Sequence, residues 1–323
     1  MDADAVEVIR KAAKTADVDL VACPAVVYEC LRMSDIHLRR RLAKALTRNA
    51  WLRPMPEAFV EAEELREEIT RLRPEWLVAR PETRNWHQNR NDWRSGFWRR
   101  VRHQTDKMAR IVSAVDYGKL DRARNEAKAA RSTARELGHR IEGLRLDTAR
   151  SWYLRRVPGW DGEPFEAWRG HSEANWWQEL ILRPSQTSLD WLEPWLQLNR
   201  IRSERPQWIT FWTRECAKER LPREWLRWAM GEVQSLRKVT PGTPVDNQIA
   251  TYLVDYDYFV TGDRAFAECI EVIRPHAPAQ IAATSVSPAG KGAVDHLLEL
   301  FENVGDTNRT HPEGDARKVT GFS

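Results

Sequence analysis

Apolar residues follow two kinds of pattern along this chain, recurring at helical spacing in some stretches and forming short continuous runs in others. Over residues 1–80 these patterns predict helix, strand, helix and helix, in that order. Leu20–Cys23 is a short apolar run that predicts the strand, and the next helix begins at Pro24, where a missing N–H costs least. Glu57–Arg71 carries apolar residues on one stripe and is the last of the four predicted elements.

Residues 241–304 show the same alternation of helix and strand. An apolar stripe at helical spacing around Ile249 precedes Tyr258–Thr261, a β-branched and aromatic run that predicts a strand. A second apolar run and a final helix follow. Such alternation is typical of an α/β domain, so we expect residues 1–80 and 241–304 to be the two halves of one three-layer α/β/α domain with a central parallel sheet.

The segment between them, residues 81–240, has almost no strand pattern. Asp116–Leu146 is rich in Ala, Arg and Glu, which predicts one long helix or two helices joined near Gly138. The segment holds 14 of the 16 tryptophans, and its 31 Lys and Arg outnumber its 21 Asp and Glu. We therefore expect a basic, all-helical insertion in the α/β domain. Residues 305–323 lack an apolar pattern and are expected to form a flexible tail.

Composition restricts the class of protein. In 323 residues, 30% of them charged, no apolar run approaches a membrane span, which needs roughly 18 residues. The first residues do not resemble a signal peptide, and the four cysteines show no CxxC spacing. We expect a cytoplasmic protein that has no membrane partner, and its oligomeric state stays open.

Two acids bracket the helix–strand unit of the C-terminal segment. Asp246 stands where the first turn of the helix is predicted, and Asp263 follows the strand after one residue. Each acid alone is explained as well by a structural role, Asp246 as a helix cap and Asp263 as a turn residue. Together they predict a divalent-metal site, because ligands collect outside the carboxyl ends of the strands in an open α/β sheet.

The motifs around both acids resemble those of the PIN-domain nucleases, a family of metal-dependent ribonucleases that includes the toxins of many toxin–antitoxin modules. The residues that carry the resemblance are Asp246-Asn247-Gln248-Ile249-Ala250 at a helix start, and Val260-Thr261-Gly262-Asp263 with Phe266 after a strand. In the family a further acid comes from a helix that follows a short strand, and Glu29 is the matching position.

This resemblance implies a PIN-like fold and an endoribonuclease active site. It implies that Glu29, Asp246 and Asp263 are catalytic metal ligands, and that Thr261 hydrogen-bonds a ligand or the phosphate. Mg²⁺ or Mn²⁺ is the expected cofactor, since hard oxygen ligands suit hard ions. A toxin or defence effector is one implied role, with an antitoxin protein as partner.

The chain departs from the family at its start. PIN domains open with a strand that ends in Asp, the first metal ligand. Here the opening residues have the pattern of a helix, with Val6, Ile9 and Ala13 at helical spacing. Either the true start lies upstream or the domain is degenerate. We favour the missing start, because loss of a central strand would expose two sheet edges.

Aromatic and basic residues are interleaved over Trp86–Arg102, a pattern that suits phosphate contact combined with base stacking. The candidate nucleic-acid-binding residues are Arg90, Arg94, Arg99, Arg100, Trp93 and Trp98. We expect single-stranded or structured RNA as the partner, and a solvated helix face is the alternative interpretation. The alternative function is a catalytically inactive PIN-like protein that binds nucleic acid or a protein partner through these helices.

Overall fold

A computed structural model describes residues 3–116, 140–237, 243–290 and 292–310, together with eight positions between 125 and 136. About half of the helix predicted over Asp116–Leu146, including Gly138, lies outside the described residues. Near its predicted end the structure has a 3₁₀ turn, Ile141–Gly143. Residues 311–323 of the predicted tail also lie outside them, whereas 305–310 belong to the last helix.

Helices form most of the described structure. The N-terminal segment contains α1 (Ala3–Thr15), α2 (Pro24–Arg32), α3 (Ile36–Leu46) and α4 (Glu57–Leu72). The middle segment contains α5 (Arg84–Asn91), α6 (Phe97–His103), α7 (Thr105–Asp116), α8 (Ala167–Trp177), α9 (Gln186–Leu192), α10 (Leu198–Ser203), α11 (Arg205–Thr210) and α12 (Pro222–Ser235). The C-terminal segment contains α13 (Thr243–Ala250), α14 (Arg264–Ile273) and α15 (Gly292–Thr310).

Three π-helical turns extend helices of the middle segment at Asp92–Gly96, Gln178–Leu182 and Phe211–Glu215. Strands are few in the described residues and very short. β1 (Arg150–Ser151) pairs with β2 (Phe165–Glu166) in an antiparallel sheet, and β3 (Tyr258–Thr261) pairs with β4 (Ala283–Val286) in a parallel one.

The predicted PIN-like three-layer α/β/α fold with a central parallel sheet is wrong. In the described residues the parallel sheet has two strands, and Leu20–Cys23 supplies only a single bridge, between Val21 and Leu52. A central parallel strand is buried on both faces, whereas β3 remains half exposed along its length. Helices, rather than further strands, cover most of the apolar surface.

One hydrophobic core joins all three segments. It contains Leu65 of α4, Trp212 of the middle segment and Ile270 of α14, each fully buried. A second cluster packs α2 and α3 against α6 and α7 around Trp98. The helices of the middle segment are therefore part of the main core. The domain boundaries drawn from the sequence stay predictions.

Most tryptophans fill the interior, as expected from their helical spacing. Six are less than 2% exposed: Trp76, Trp98, Trp168, Trp208, Trp212 and Trp225. Of the tryptophans in the described residues, Trp152 alone is exposed, with 59% of its surface accessible. These rings supply much of the buried apolar area that stabilises the helices.

Ion pairs connect α12 to both other segments; the pairs with α4 are largely buried, and the pair with Asp255 is partly exposed. Arg227 donates to both carboxylate oxygens of Glu61 on α4, at 2.5 and 2.7 Å from its Nη2. Arg223, one turn earlier, donates to Glu64 of α4 and to Asp255, which lies just before β3. In each pair an arginine meets a carboxylate within hydrogen-bond distance, and these contacts fix the position of α12 relative to α4 and β3.

Glu224 on the same helix is fully buried, and its Oε1 accepts a 2.8 Å hydrogen bond from Nε1 of Trp176. Burial, together with the nearby Glu61 carboxylate, raises the pKa of Glu224 to about 7.

No helix in the described ranges is both long and apolar enough to cross a membrane.

Replacing Trp76 with Ala should lower the free energy of unfolding by about 3 to 5 kcal/mol. Its ring is fully buried, and its Nε1 donates a 2.6 Å hydrogen bond to Glu204. Trp152→Ala is the matched control and should change the free energy by less than about 0.5 kcal/mol, because that ring is exposed. Urea unfolding followed by circular dichroism measures both. Equal losses would contradict the burial described for the two rings.

Replacing Glu224 with Gln should change how stability depends on pH. The folded state holds the proton of Glu224 up to about pH 7, whereas the unfolded chain releases it near 4.5. The wild type therefore loses stability as pH rises between these values, and the Gln variant avoids that loss. Relative to wild type, the variant should gain about 3 kcal/mol between pH 4 and pH 8. Urea unfolding across this range measures the difference, and a constant difference would contradict the raised pKa.

Candidate functional site

The three acids predicted from the sequence sit on separate elements. Asp246 lies in the first turn of α13, and Asp263 is the N-cap residue of α14, after the end of β3. Glu29 lies on α2, which packs against α13. We call Glu29, Asp246 and Asp263 the acidic cluster.

The structure brings these acids close enough to affect one another. Burial, followed by repulsion from Asp263 and Glu29, raises the pKa of Asp246 to about 7. Burial also raises the pKa of Glu29, which Arg32 opposes and Asp263 reinforces. Carboxylates that disfavour each other's ionisation mark a local excess of negative charge. A cation bound beside them would relieve it.

Asp263 is held by the start of the helix that it caps. Its Oδ1 accepts a 3.0 Å hydrogen bond from the N–H of Phe266. The hydroxyl of Thr261 accepts a 3.0 Å hydrogen bond from the N–H of Asp263. The sequence pattern around Asp263 is thus a local turn and cap, which fixes one oxygen and leaves the other for the cluster.

Three residues that the sequence interpretation missed surround the cluster. Nε2 of Gln234 on α12 donates a 3.1 Å hydrogen bond to Oδ2 of Asp246. Cys269 on α14 is buried, and burial raises the pKa of its thiol, with Asp246 and Asp263 adding to the effect. Arg237 donates to Sγ of Cys269 at 3.3 Å and is paired with Glu268. No motif marks these residues, because they approach the acids only through the packing of α12 and α14.

The donor set of the cluster suits a hard divalent cation, since carboxylate oxygens are the ligands that Mg²⁺ and Mn²⁺ prefer. The arrangement of these oxygens around one point is less complete than a metal site requires. Within the described residues, no group of three or more His, Cys, Asp or Glu side chains is placed to hold one ion. Holding one would require side-chain movement or a further ligand.

The candidate nucleic-acid-binding residues divide into two groups. Trp98 is 0% exposed, so a base cannot reach its ring, and Trp93 packs half-buried against Phe97 at 4.4 Å. Both Arg100 guanidinium nitrogens Nη1 and Nη2 donate to Asp92, at 2.5 Å each.

Arg94 and Arg99 are exposed, and Arg90 is half-buried over the ring of Trp86 at 5.4 Å. Burial, followed by repulsion from Arg94, lowers the pKa of the Arg90 guanidinium. The exposed basic charge of this segment therefore lies mainly on Arg94 and Arg99.

Tyr28 connects this basic segment to the acidic cluster. It precedes Glu29 on α2, and its ring packs against Trp93 at 6.3 Å and Phe97 at 5.8 Å. Consequently the helix that carries Glu29 also packs against the π-helical turn Asp92–Gly96 and the start of α6.

Comparisons of the chain with protein-family models, with curated proteins and with solved structures find no match. The function of the acidic cluster has to follow from its own geometry and chemistry.

Proposed function

We propose that the protein is a divalent-cation-dependent ribonuclease whose active site is the acidic cluster. The observation that carries the proposal is the convergence of Glu29, Asp246 and Asp263 from three elements that are distant in sequence. Asp246 is half-buried, whereas Glu29 and Asp263 are exposed. Carboxylates that lie close together are costly to ionise, and a bound cation offsets that cost. A metal-dependent hydrolase is the class of enzyme that holds several carboxylates close together in order to bind a cation.

Each cluster residue has a role that follows from its contacts. Asp246 and Asp263 would hold Mg²⁺ or Mn²⁺, with Glu29 as a further ligand or as the group that orients the water. When bound, the ion supplies a water of lowered pKa and neutralises phosphate charge. Thr261 acts on the backbone of Asp263 and so keeps that carboxylate in place.

The exposed arginines supply the attraction for RNA. Arg94 and Arg99 present guanidinium groups to solvent on helices that pack on the Glu29 helix. Contacts with phosphates release counterions, so binding should weaken as salt rises. In this proposal the basic segment holds the RNA backbone while the acids act on one phosphodiester.

A second candidate function is RNA binding without cleavage. It is favoured by the observation that no three acids in the described ranges are placed to share one ion. Cleavage and binding assays separate the two candidates.

Asp263→Asn should reduce Mn²⁺-dependent RNA cleavage by at least about 100-fold, because it removes one charge from the acidic cluster. Asn caps helices as well as Asp does, so α14 should keep its start and its stability. The measurement is single-turnover cleavage of a mixed-sequence RNA with Mn²⁺, with and without EDTA.

Asp35→Asn is the matched control. Asp35 is also an N-cap aspartate, accepting a 2.9 Å hydrogen bond from Leu38 N–H on α3, and its substitution should leave cleavage unchanged. Wild-type cleavage by the Asp263→Asn protein would rule out the assigned site. RNA binding without any cleavage by the wild type would favour the second candidate.

Arg94→Ala and Arg99→Ala should each weaken RNA binding and lower the slope of log K against log salt by about 0.7 to 1, since each removes one phosphate contact. Arg220→Ala, at an exposed position on another part of the chain, removes the same charge and should leave the slope unchanged. Fluorescence anisotropy of labelled single-stranded RNA at several salt concentrations measures the slopes. Equal slopes for all three variants would place the RNA elsewhere.

A further inference from the structure

Gln234 is the polar side chain most closely joined to the acidic cluster. It lies on α12 and is 8% exposed. Its Nε2 donates a 3.1 Å hydrogen bond to Oδ2 of Asp246, across twelve residues of chain. The side-chain amide therefore contacts the cluster from a different helix than the one that carries Asp246.

The orientation of the amide is fixed by its partner. A carboxylate accepts hydrogen bonds, so the NH₂ group must face Asp246, and a flipped amide would place oxygen against oxygen. The amide oxygen, Oε1, is then left buried with no hydrogen-bond partner. An unpaired buried acceptor is unfavourable, and one that persists beside a cluster of acids calls for a partner that donates or is positively charged.

A divalent cation is the partner that suits both features. Amide oxygens are ordinary ligands of hard cations, alongside carboxylates. The described acids do not by themselves form a three-acid metal group, and an uncharged oxygen adds a ligand without adding to the repulsion among Glu29, Asp246 and Asp263. A contact between Oε1 of Gln234 and a cation would give the cation one more ligand and would give Oε1 the partner that it lacks.

The helix that carries Gln234 is also held firmly. Arg223 and Arg227 tie the N-terminal half of α12 to Glu64, Asp255 and Glu61 through ion pairs. Since the backbone of α12 is fixed by these pairs, the amide of Gln234 is delivered to Asp246 at a set position rather than on a mobile loop. Preorganised ligands of this kind are characteristic of binding sites.

We propose that Gln234 belongs to the cation site, where it positions Asp246 through Nε2 and offers Oε1 to a divalent cation or to a water bound to it. This inference rests on the proposed function of the acidic cluster and adds to it a residue outside the motifs of the sequence. It also assigns α12, a helix of the middle segment, a direct part in the site.

The test compares Mn²⁺ binding by the full chain and two variants, measured by isothermal titration calorimetry. Gln234→Ala removes both contacts and should weaken Mn²⁺ binding by about 10-fold or more. Gln234→Glu removes the donor to Asp246 but places a charged oxygen where Oε1 stands, so Mn²⁺ should bind more tightly than to the wild type. Gln186→Glu is the matched control, because Gln186 also donates from Nε2 to an aspartate, Asp190, at 2.7 Å, in an exposed pair far from the acidic cluster in the sequence. Its Mn²⁺ affinity should equal that of the wild type.

The outcomes separate the two proposals. If the wild type binds Mn²⁺ and neither Gln234 variant differs from it, the role of Gln234 is overturned while the cation site stands. If both variants bind more weakly, Gln234 acts only on Asp246, and the direct contact through Oε1 is overturned. If the wild type itself binds no Mn²⁺ at millimolar concentration, the proposed function falls first and the role of Gln234 with it. Thermal unfolding of each variant without metal shows whether a weakened site reflects loss of folding.

Discussion

The ion pairs made by α12 are the interaction on which the rest of the structure depends. Arg227 meets Glu61, and Arg223 meets Glu64 and Asp255, so one helix joins the N-terminal helices to the segment that carries β3. Removing one member of such a pair leaves a buried charge without compensation, which is far more costly than losing a surface pair. The pairs fix α12, and from that helix Gln234 reaches Asp246 of the acidic cluster through a hydrogen bond.

In the proposed function, the acidic cluster and the basic segment act together through α2. Glu29 on that helix belongs to the cluster, and its neighbour Tyr28 packs on the aromatic residues beside Arg94 and Arg99. A polyanion drawn to the arginines is thus brought to the helix that also carries a cluster acid. In that proposal the arginines attract phosphates and the acids bind a cation, and α2 links the two groups.

Much of the local structure could be predicted from the sequence. The strand Tyr258–Thr261 lies where the β-branched run placed it, and helices begin at Pro24 and Glu57 as expected. These elements depend on local pattern and capping. The prediction of a central sheet was wrong because Leu20–Cys23, despite its strand pattern, pairs within the described residues only through the bridge between Val21 and Leu52. Strand pairing depends on what covers each face of a strand, and in this protein helices rich in tryptophan cover most of the apolar surface.

The same limit explains the site. Asp246 and Asp263 were accessible to prediction because a helix start and a strand end are marked locally. Gln234 was not, since a single amide on an amphipathic helix carries no signal until the helix is docked. Trp98 shows the reverse error: aromatic and basic residues alternate on a packed helix as they do on an RNA-binding one, and only its burial distinguishes the two.

The long reach of the α12 ion pairs has a kinetic consequence. Arg227 and Glu61 are 166 residues apart in sequence, and Arg223 and Glu64 are 159 apart. Contacts of such separation require large loops to close before any stabilisation is gained, which makes them late and slow to form. During synthesis, α2 leaves the ribosome long before α12, α13 and α14 exist. Glu29 can therefore meet Asp246 and Asp263 only after most of the chain has been made, so the acidic cluster forms late in folding.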